Sequence, residues 1–156
     1  MSIRFQPSKF GATGGFPDTQ GYVVDGSLTV LRGAVMRYIP ANDDVDEHPG
    51  TTTVVDILGV AGCDVASGVS DDPAGTLPVF KAKDIEFAGS VINAGTILTD
   101  LSTISIGDQF GVLKHSDNEW YVDEADVTNV TVQITKIDDD LNLVWFRFLE
   151  SAIQEV

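Results

Sequence analysis

Carboxylates are the most plentiful reactive groups in this chain, and two runs bring oxygen ligands together as a calcium-binding loop would. Asp44 with Asp46, and Asp138 with Asp140 and Asn142, stand at the alternate positions such a loop uses. The loop also needs glycine at its sixth place and glutamate at its twelfth. Counted from Asp44 those places hold Pro49 and Val55, and counted from Asp138 they hold Leu143 and Leu149. Both matches fail, which leaves only calcium held between subunits, outside that motif, as a cation reading. His48 and His115 are far apart and have no His or Cys partner at zinc spacing, so each reads as an exposed loop histidine. Cys63 has no base beside it and reads as a small buried hydrophobe; as the single cysteine it excludes an intrachain disulfide. Gly11-Ala12-Thr13-Gly14-Gly15 is glycine-rich, but no strand precedes it and no Lys-Ser or Lys-Thr follows, so it is not a phosphate loop. No serine occupies a G-x-S-x-G elbow. Paired carboxylates are too common in so acidic a chain to single out glycoside hydrolysis. No catalytic residue, cofactor site or metal site is expected, and the chain reads as a non-enzyme.

Aromatic side chains are the other group that could recognise something. Trp120 and Tyr121 are neighbours in an expected strand and therefore face opposite sides, one expected to be buried and the other partly exposed. Phe5, Phe10, Phe16 and Tyr22 are spaced through residues 1–26, a glycine-rich stretch with Pro7 and Pro17. A free linker does not normally carry so many rings. Either they tuck against their own domain, or the stretch is an extended arm that docks them on a neighbouring subunit. These six aromatics are the candidate partner-interface residues.

The elements that must carry these side chains are strands. Val130, Val132 and Ile134 alternate with Thr131, Gln133 and Thr135, the pattern of a strand with one buried face. In the next apolar run Val144, Phe146 and Phe148 share one face, with Leu143, Trp145 and Arg147 on the other. Asp138-Asp139-Asp140-Leu141-Asn142 lies between, rich in residues that favour turns, so a β-hairpin is expected. Residues 109–113 and 120–122 flank a polar link and form a second hairpin. Upstream, residues 28–39 read as two short strands meeting near Arg32-Gly33, 40–50 as a polar acidic loop, and 51–60 and 76–83 as strands. Residues 89–107 hold short apolar pieces separated by turn residues. Helical spacing appears only at Leu149, Ala152, Ile153 and Val156, too briefly to stand alone. The expected fold is all-β, an antiparallel barrel or sandwich. It comprises an arm over 1–26 and a β domain over 27–156, the latter open to division into two subdomains near residue 100.

At 156 residues, with 43% hydrophobic and 21% charged residues, the chain has the composition of one globular domain. Its formal net charge of -15 argues against nucleic-acid binding, which needs cations to neutralise phosphates, and against anionic membranes. It favours solubility at high local concentration. The N-terminus lacks the apolar core of a signal peptide, and no run approaches the roughly 18 apolar residues of a membrane span. Synthesis in a cytoplasm is the expectation.

Two sets of short motifs resemble a known family. Arg32-Gly33-Ala34-Val35, then Ile57-Leu58-Gly59-Val60-Ala61, then Leu77-Pro78-Val79-Phe80 are similar in order to small tailed-phage capsid decoration, or cement, proteins with a β-tulip core. Phe110-Gly111-Val112, Trp120-Tyr121-Val122-Asp123 and Asp126-Val127-Thr128-Asn129-Val130 resemble a β module of phage virion proteins. The likeness spans residues 28–149. It departs at Val127, where threonine is more usual, and the acidic stretch at 41–50 has no counterpart. The resemblance implies a trimer on the capsid exterior of a virion, stabilising the head by bridging major capsid protein subunits, without catalytic residues. The competing expectation is a glycan- or receptor-binding module of a virion fibre, with Trp120 or Tyr121 stacking on sugar rings. A hydrolase is a residual third.

Overall fold

The computed structural model describes residues 5–7, 19–50 and 56–156. Among them the chain is all-β: two large sheets and one small ribbon, none closed into a barrel. Glycine, proline and acidic turns interrupt the sequence too often for longer elements. In chain order the strands are β1 (Gln6–Pro7), β2 (Thr19–Tyr22), β3 (Val35–Ile39), β4 (Asp44–Glu47), β5 (Gly59–Ala61), β6 (Val65–Ala66), β7 (Val69–Ser70) and β8 (Leu77–Lys81). They continue with β9 (Phe87–Gly89), β10 (Val91–Asn93), β11 (Thr96–Ile97), β12 (Gln109–Lys114), β13 (Trp120–Asp123), β14 (Val132–Asp138) and β15 (Leu143–Phe148).

The five-stranded sheet runs β2-β8-β5-β3-β4, and β6 pairs only with β7. The eight-stranded sheet runs β1-β9-β15-β14-β12-β13-β10-β11, antiparallel throughout except where β10 lies parallel to β13. A division near residue 100 would cut this second sheet, whose strands come from both sides of that point. Apart from β1, the change from the first sheet to the second falls between β8 and β9, and one apolar core joins the two sheets. Val35, Val60 and Val79 come to it from the first sheet, Phe87, Val132 and Phe146 from the second, all fully buried.

The β14–β15 hairpin follows its sequence pattern. Val144, Phe146 and Phe148 are buried while Arg147 is exposed, and Phe87, Phe146 and Phe148 pack ring against ring. Asn142 takes a left-handed conformation in the turn (φ 52°). On the opposite face Lys136 sits 4.3 Å over the ring of its cross-strand neighbour Trp145. A bulge falls between Ile134 and Lys136, so the strict alternation ends at Ile134.

The acidic stretch at 40–50 is not wholly a loop. Asp44–Glu47 forms β4, hydrogen-bonded to β3 through a turn in which Asp43 is left-handed (φ 55°). Val45 is fully buried and anchors the strand, and as an edge strand β4 tolerates the charges on either side of it. The strand expected at 51–60 is seen only from Asp56 onward, residues 51–55 lying outside the described residues. At the other end, Glu150–Ala152 forms a single 3-10 turn. The segment after it leaves the eight-stranded sheet and crosses to the first. Gln154 and Ile57 join backbone to backbone (2.8 Å), and the Gln154 side chain both accepts from Tyr38 N (2.8 Å) and donates to Tyr38 O (3.0 Å).

Candidate functional site

Four of the six candidate interface aromatics lie inside the protein. Phe5 (1% exposed) sits against Phe146 at 4.9 Å, in space left by Gly89; a Cβ there would lie 2.4 Å from its ring. Its neighbours Gln6 and Pro7 pair with β9 of the same chain. Tyr22 is buried at the end of β2, which pairs with β8. Phe10 and Phe16 lie outside the described residues.

Trp120 and Tyr121 do face opposite sides, but both are buried, at 2% and 0% exposure. The expectation of one partly exposed ring is therefore corrected. Trp120 points into the core. Tyr121, on the other face, has its hydroxyl held by Asp117 (2.7 Å) and its ring edge-on to His115. The hairpin turn thus folds over the outer face of its own strand. Asp117 loses some charge stability to desolvation, but hydrogen bonds from Tyr121 and Glu119 N, with His115 Nδ1 3.3 Å away, outweigh it and hold the carboxyl below its usual range.

A group of buried and partly buried ionisable side chains surrounds Trp120 and joins the two sheets. Glu47 projects from β4 and accepts from Lys114 Nζ of β12 (2.6 Å) through Oε2 and from Trp120 Nε1 of β13 (2.9 Å) through Oε1. His48, 4% exposed, follows directly after the strand with its ring edge-on to Trp120. It is not the exposed loop histidine that its sequence context suggested. Its Nδ1 accepts from Gly50 N (3.2 Å), which places the proton on Nε2, 3.1 Å from Asp56 Oδ1. That last contact is an ion-pair distance without hydrogen-bond alignment. A His–carboxylate pair can orient a catalytic base, but such a base needs a free nitrogen facing substrate. Here the ring is buried, with Nδ1 bonded to Gly50 N and Nε2 against Asp56 of the same chain, so the arrangement packs the ring rather than presenting a base.

A second cluster explains part of the sequence pattern. Gly111 N donates to Asp126 O (2.9 Å), and a Cβ at Gly111 would lie 2.6 Å from the Asp126 carboxylate. That carboxylate accepts from Thr128 N, Asn129 N and Asn129 Nδ2, tying the turn that follows β13. Nearby Asp123 is pushed above the usual carboxylate range, first by desolvation and then by the charge of Asp126, against a lowering bond from Ala125 N. A carboxyl raised in the folded state binds its proton more tightly there than in the unfolded chain. Its favourable contribution is present below the unfolded value and lost as pH rises through the folded one. Asp123→Asn keeps the acceptor for Ala125 N and is expected to raise the melting temperature slightly at pH 7, the gain shrinking toward pH 4. Thermal melts of both proteins across that range check it; a gain that grows on acidification would contradict the assignment.

Among the described residues no group of three or more His, Cys, Asp and Glu is placed to hold a metal ion, and no helix is long and apolar enough to cross a membrane. The larger surface clefts are polar or lined by the crossing segment, where Lys81 donates to Val156 O and Lys83 pairs with Glu155. No family model, curated protein or solved structure matches this chain. Its function is therefore read from its own geometry and motifs. Sequence reasoning missed the Glu47–Lys114–Trp120 clasp because its members are 67 and 73 residues apart. The local signal was the departure of β4 from loop character, an isolated Val45 among acids.

Proposed function

We propose that this protein is a structural component of a tailed-phage virion: a β-tulip-like decoration protein that binds the capsid exterior as a trimer and bridges major capsid protein subunits. The observation that supports it most is how the resembling motifs meet. Gly33 N donates to Ala61 O, Ala61 N to Ala34 O, and Gly62 N to Pro78 O, so the three upstream motifs are adjacent rungs of one sheet. Phe110-Gly111-Val112 and the Asp126 turn likewise close on each other. Motifs that were only consecutive in sequence are thus a structural unit, as a shared framework requires.

The chemistry is consistent with a mechanical role. Glu47, Lys114, Trp120 and Tyr121 spend their polar groups on contacts within the chain. A rigid subunit of this kind clamps by multivalency: once one contact forms, linked copies find theirs at high effective concentration. The -15 charge keeps free subunits from associating nonspecifically before they meet a shell. The glycan reading loses its main support, since the two rings it relied on are buried.

Mixing the purified protein with expanded phage heads, followed by sedimentation and particle reconstruction, tests the proposal. Stoichiometric binding at symmetry-related positions, with shells made more resistant to heat, is the expected result. A monomer that ignores shells but binds a glycan array saturably would overturn it.

A further inference from the structure

We propose that the outer face of the β14–β15 hairpin is a two-fold contact between copies of this chain, the basic half of one hairpin set against the acidic half of the other. Residues opposite one another in an antiparallel pair share a face. Arg147 with Gln133, Trp145 with Lys136 and Leu143 with Asp138 therefore lie together, on the side away from Phe146 and the core. The chain has 24 acids for 9 bases, yet neither Lys136 nor Arg147 has an acidic side chain at ion-pair distance among the described residues. Glu86, next in register to Arg147 across β9, instead accepts from Thr135 Oγ1 (2.8 Å). Both cations are exposed, and Trp145 is partly exposed between them.

The other end of the same hairpin has the opposite character. Its turn carries the exposed Asp139 and Asp140 beside Leu141, a large apolar side chain left 59% exposed. The hairpin is thus polarised along its length, basic and aromatic at one end, acidic at the other. Such a surface repels a parallel copy and complements an antiparallel one, the relation a two-fold axis imposes on an isologous interface. With the axis at the level of Val144, Arg147 meets the turn of the other copy, Lys136 its Asp138 and Trp145 its Leu143. An unrelated acidic segment would use the basic end alone and leave Leu141 and the acidic turn without a counterpart. The net charge of -15 opposes approach at long range, but physiological salt screens charges beyond about 8 Å and spares those in contact. Strands about 4.8 Å apart and residues about 3.3 Å apart make the face about 20 Å on a side, or roughly 400 Å². That is about half of what each partner buries in a standard interface, so the contact is weak and reversible.

This inference goes beyond the particle reading and stands without it, because it concerns free chains in solution; its failure would leave shell binding untouched. Sedimentation equilibrium of the full-length protein, from about 10 µM to about 1 mM in about 0.15 M salt, should show a reversible step that doubles the mass. Arg147→Glu in one variant, and Asp139→Lys with Asp140→Lys in a second, should each weaken that step about tenfold or more. Mixed one to one, the two variants should pair with each other and recover it, because each reversed half then meets a reversed counterpart. No such step, a step indifferent to Arg147→Glu, or variants that stay apart when mixed would overturn the proposal. So would a chain that does not double while an added tetra-aspartate peptide saturably changes its tryptophan fluorescence, which marks an unrelated acidic partner as the occupant. Should a variant fail to fold, the concentration-dependent amide shifts of the ¹⁵N-labelled natural sequence still decide. They should cluster within residues 133–147, and shifts confined elsewhere would overturn the contact.

Discussion

Gly59→Ala is expected to destabilise the protein by about 3 kcal/mol, roughly 6–12 °C in Tm for a chain of this length. A Cβ at Gly59 would lie 2.1 Å from the carbonyl oxygen of Phe80 and 2.9 Å from a methyl of Val79. The first of these is backbone in β8, fixed between β2 and β5, so it cannot swing aside as a side-chain tip would. Relief requires β5 and β8 to separate at the centre of the five-stranded sheet. Gly26→Ala supplies the control: nothing lies within 4 Å of its Cβ, and the change should stay within about 0.5 kcal/mol. Urea unfolding of both variants measures the difference. A Gly59→Ala protein as stable as the Gly26→Ala one would mean that the two strands are not packed as described.

Glu47→Ala should cost about 2–3 kcal/mol, because it strands two donors at once, the Lys114 ammonium and the Trp120 indole N–H. Loss of a fully buried pair costs more, but Lys114 is 33% exposed and water compensates part of its charge. Glu47→Gln keeps an oxygen for Trp120 while turning an amide toward Lys114, and should fall between. Combining Glu47→Gln with Lys114→Met removes both charges and keeps the indole bond, so most of the loss should return. The double-mutant cycle, followed by tryptophan fluorescence during unfolding, should therefore give a coupling of about 1 kcal/mol or more. Strictly additive effects would show that the clasp joins the sheets in geometry but not in energy.

What could be read from the sequence were features whose cause is local. The β14–β15 hairpin was legible because Val132 and Ile134 alternate with polar residues and because the acidic turn carries its own preference. The hairpin from β12 to β13 was legible for the same reason. Strand β4 was hidden because Asp and Glu are poor strand formers, and a single Val45 makes no periodicity. Alternation correctly set Trp120 and Tyr121 on opposite faces but carries no information about what covers the outer one. That cover comes from the turn at Asp117, a detail of hairpin geometry. The clasp depends on where separate strands come to lie, and no window of sequence contains it.

The crossing segment has a consequence for how the protein comes into being. Ile57 is held between Ala152 and Gln154, to which its N–H and carbonyl respectively bond. A nascent chain that has already made every strand of the five-stranded sheet therefore lacks the pairing that closes Ile57 until residue 154 has left the ribosome. Until then the backbone of Ile57, and the carbonyl of Tyr38 that will receive Gln154, lack these partners. Such distant closure means that the first sheet is completed only after every strand of the second has been synthesised.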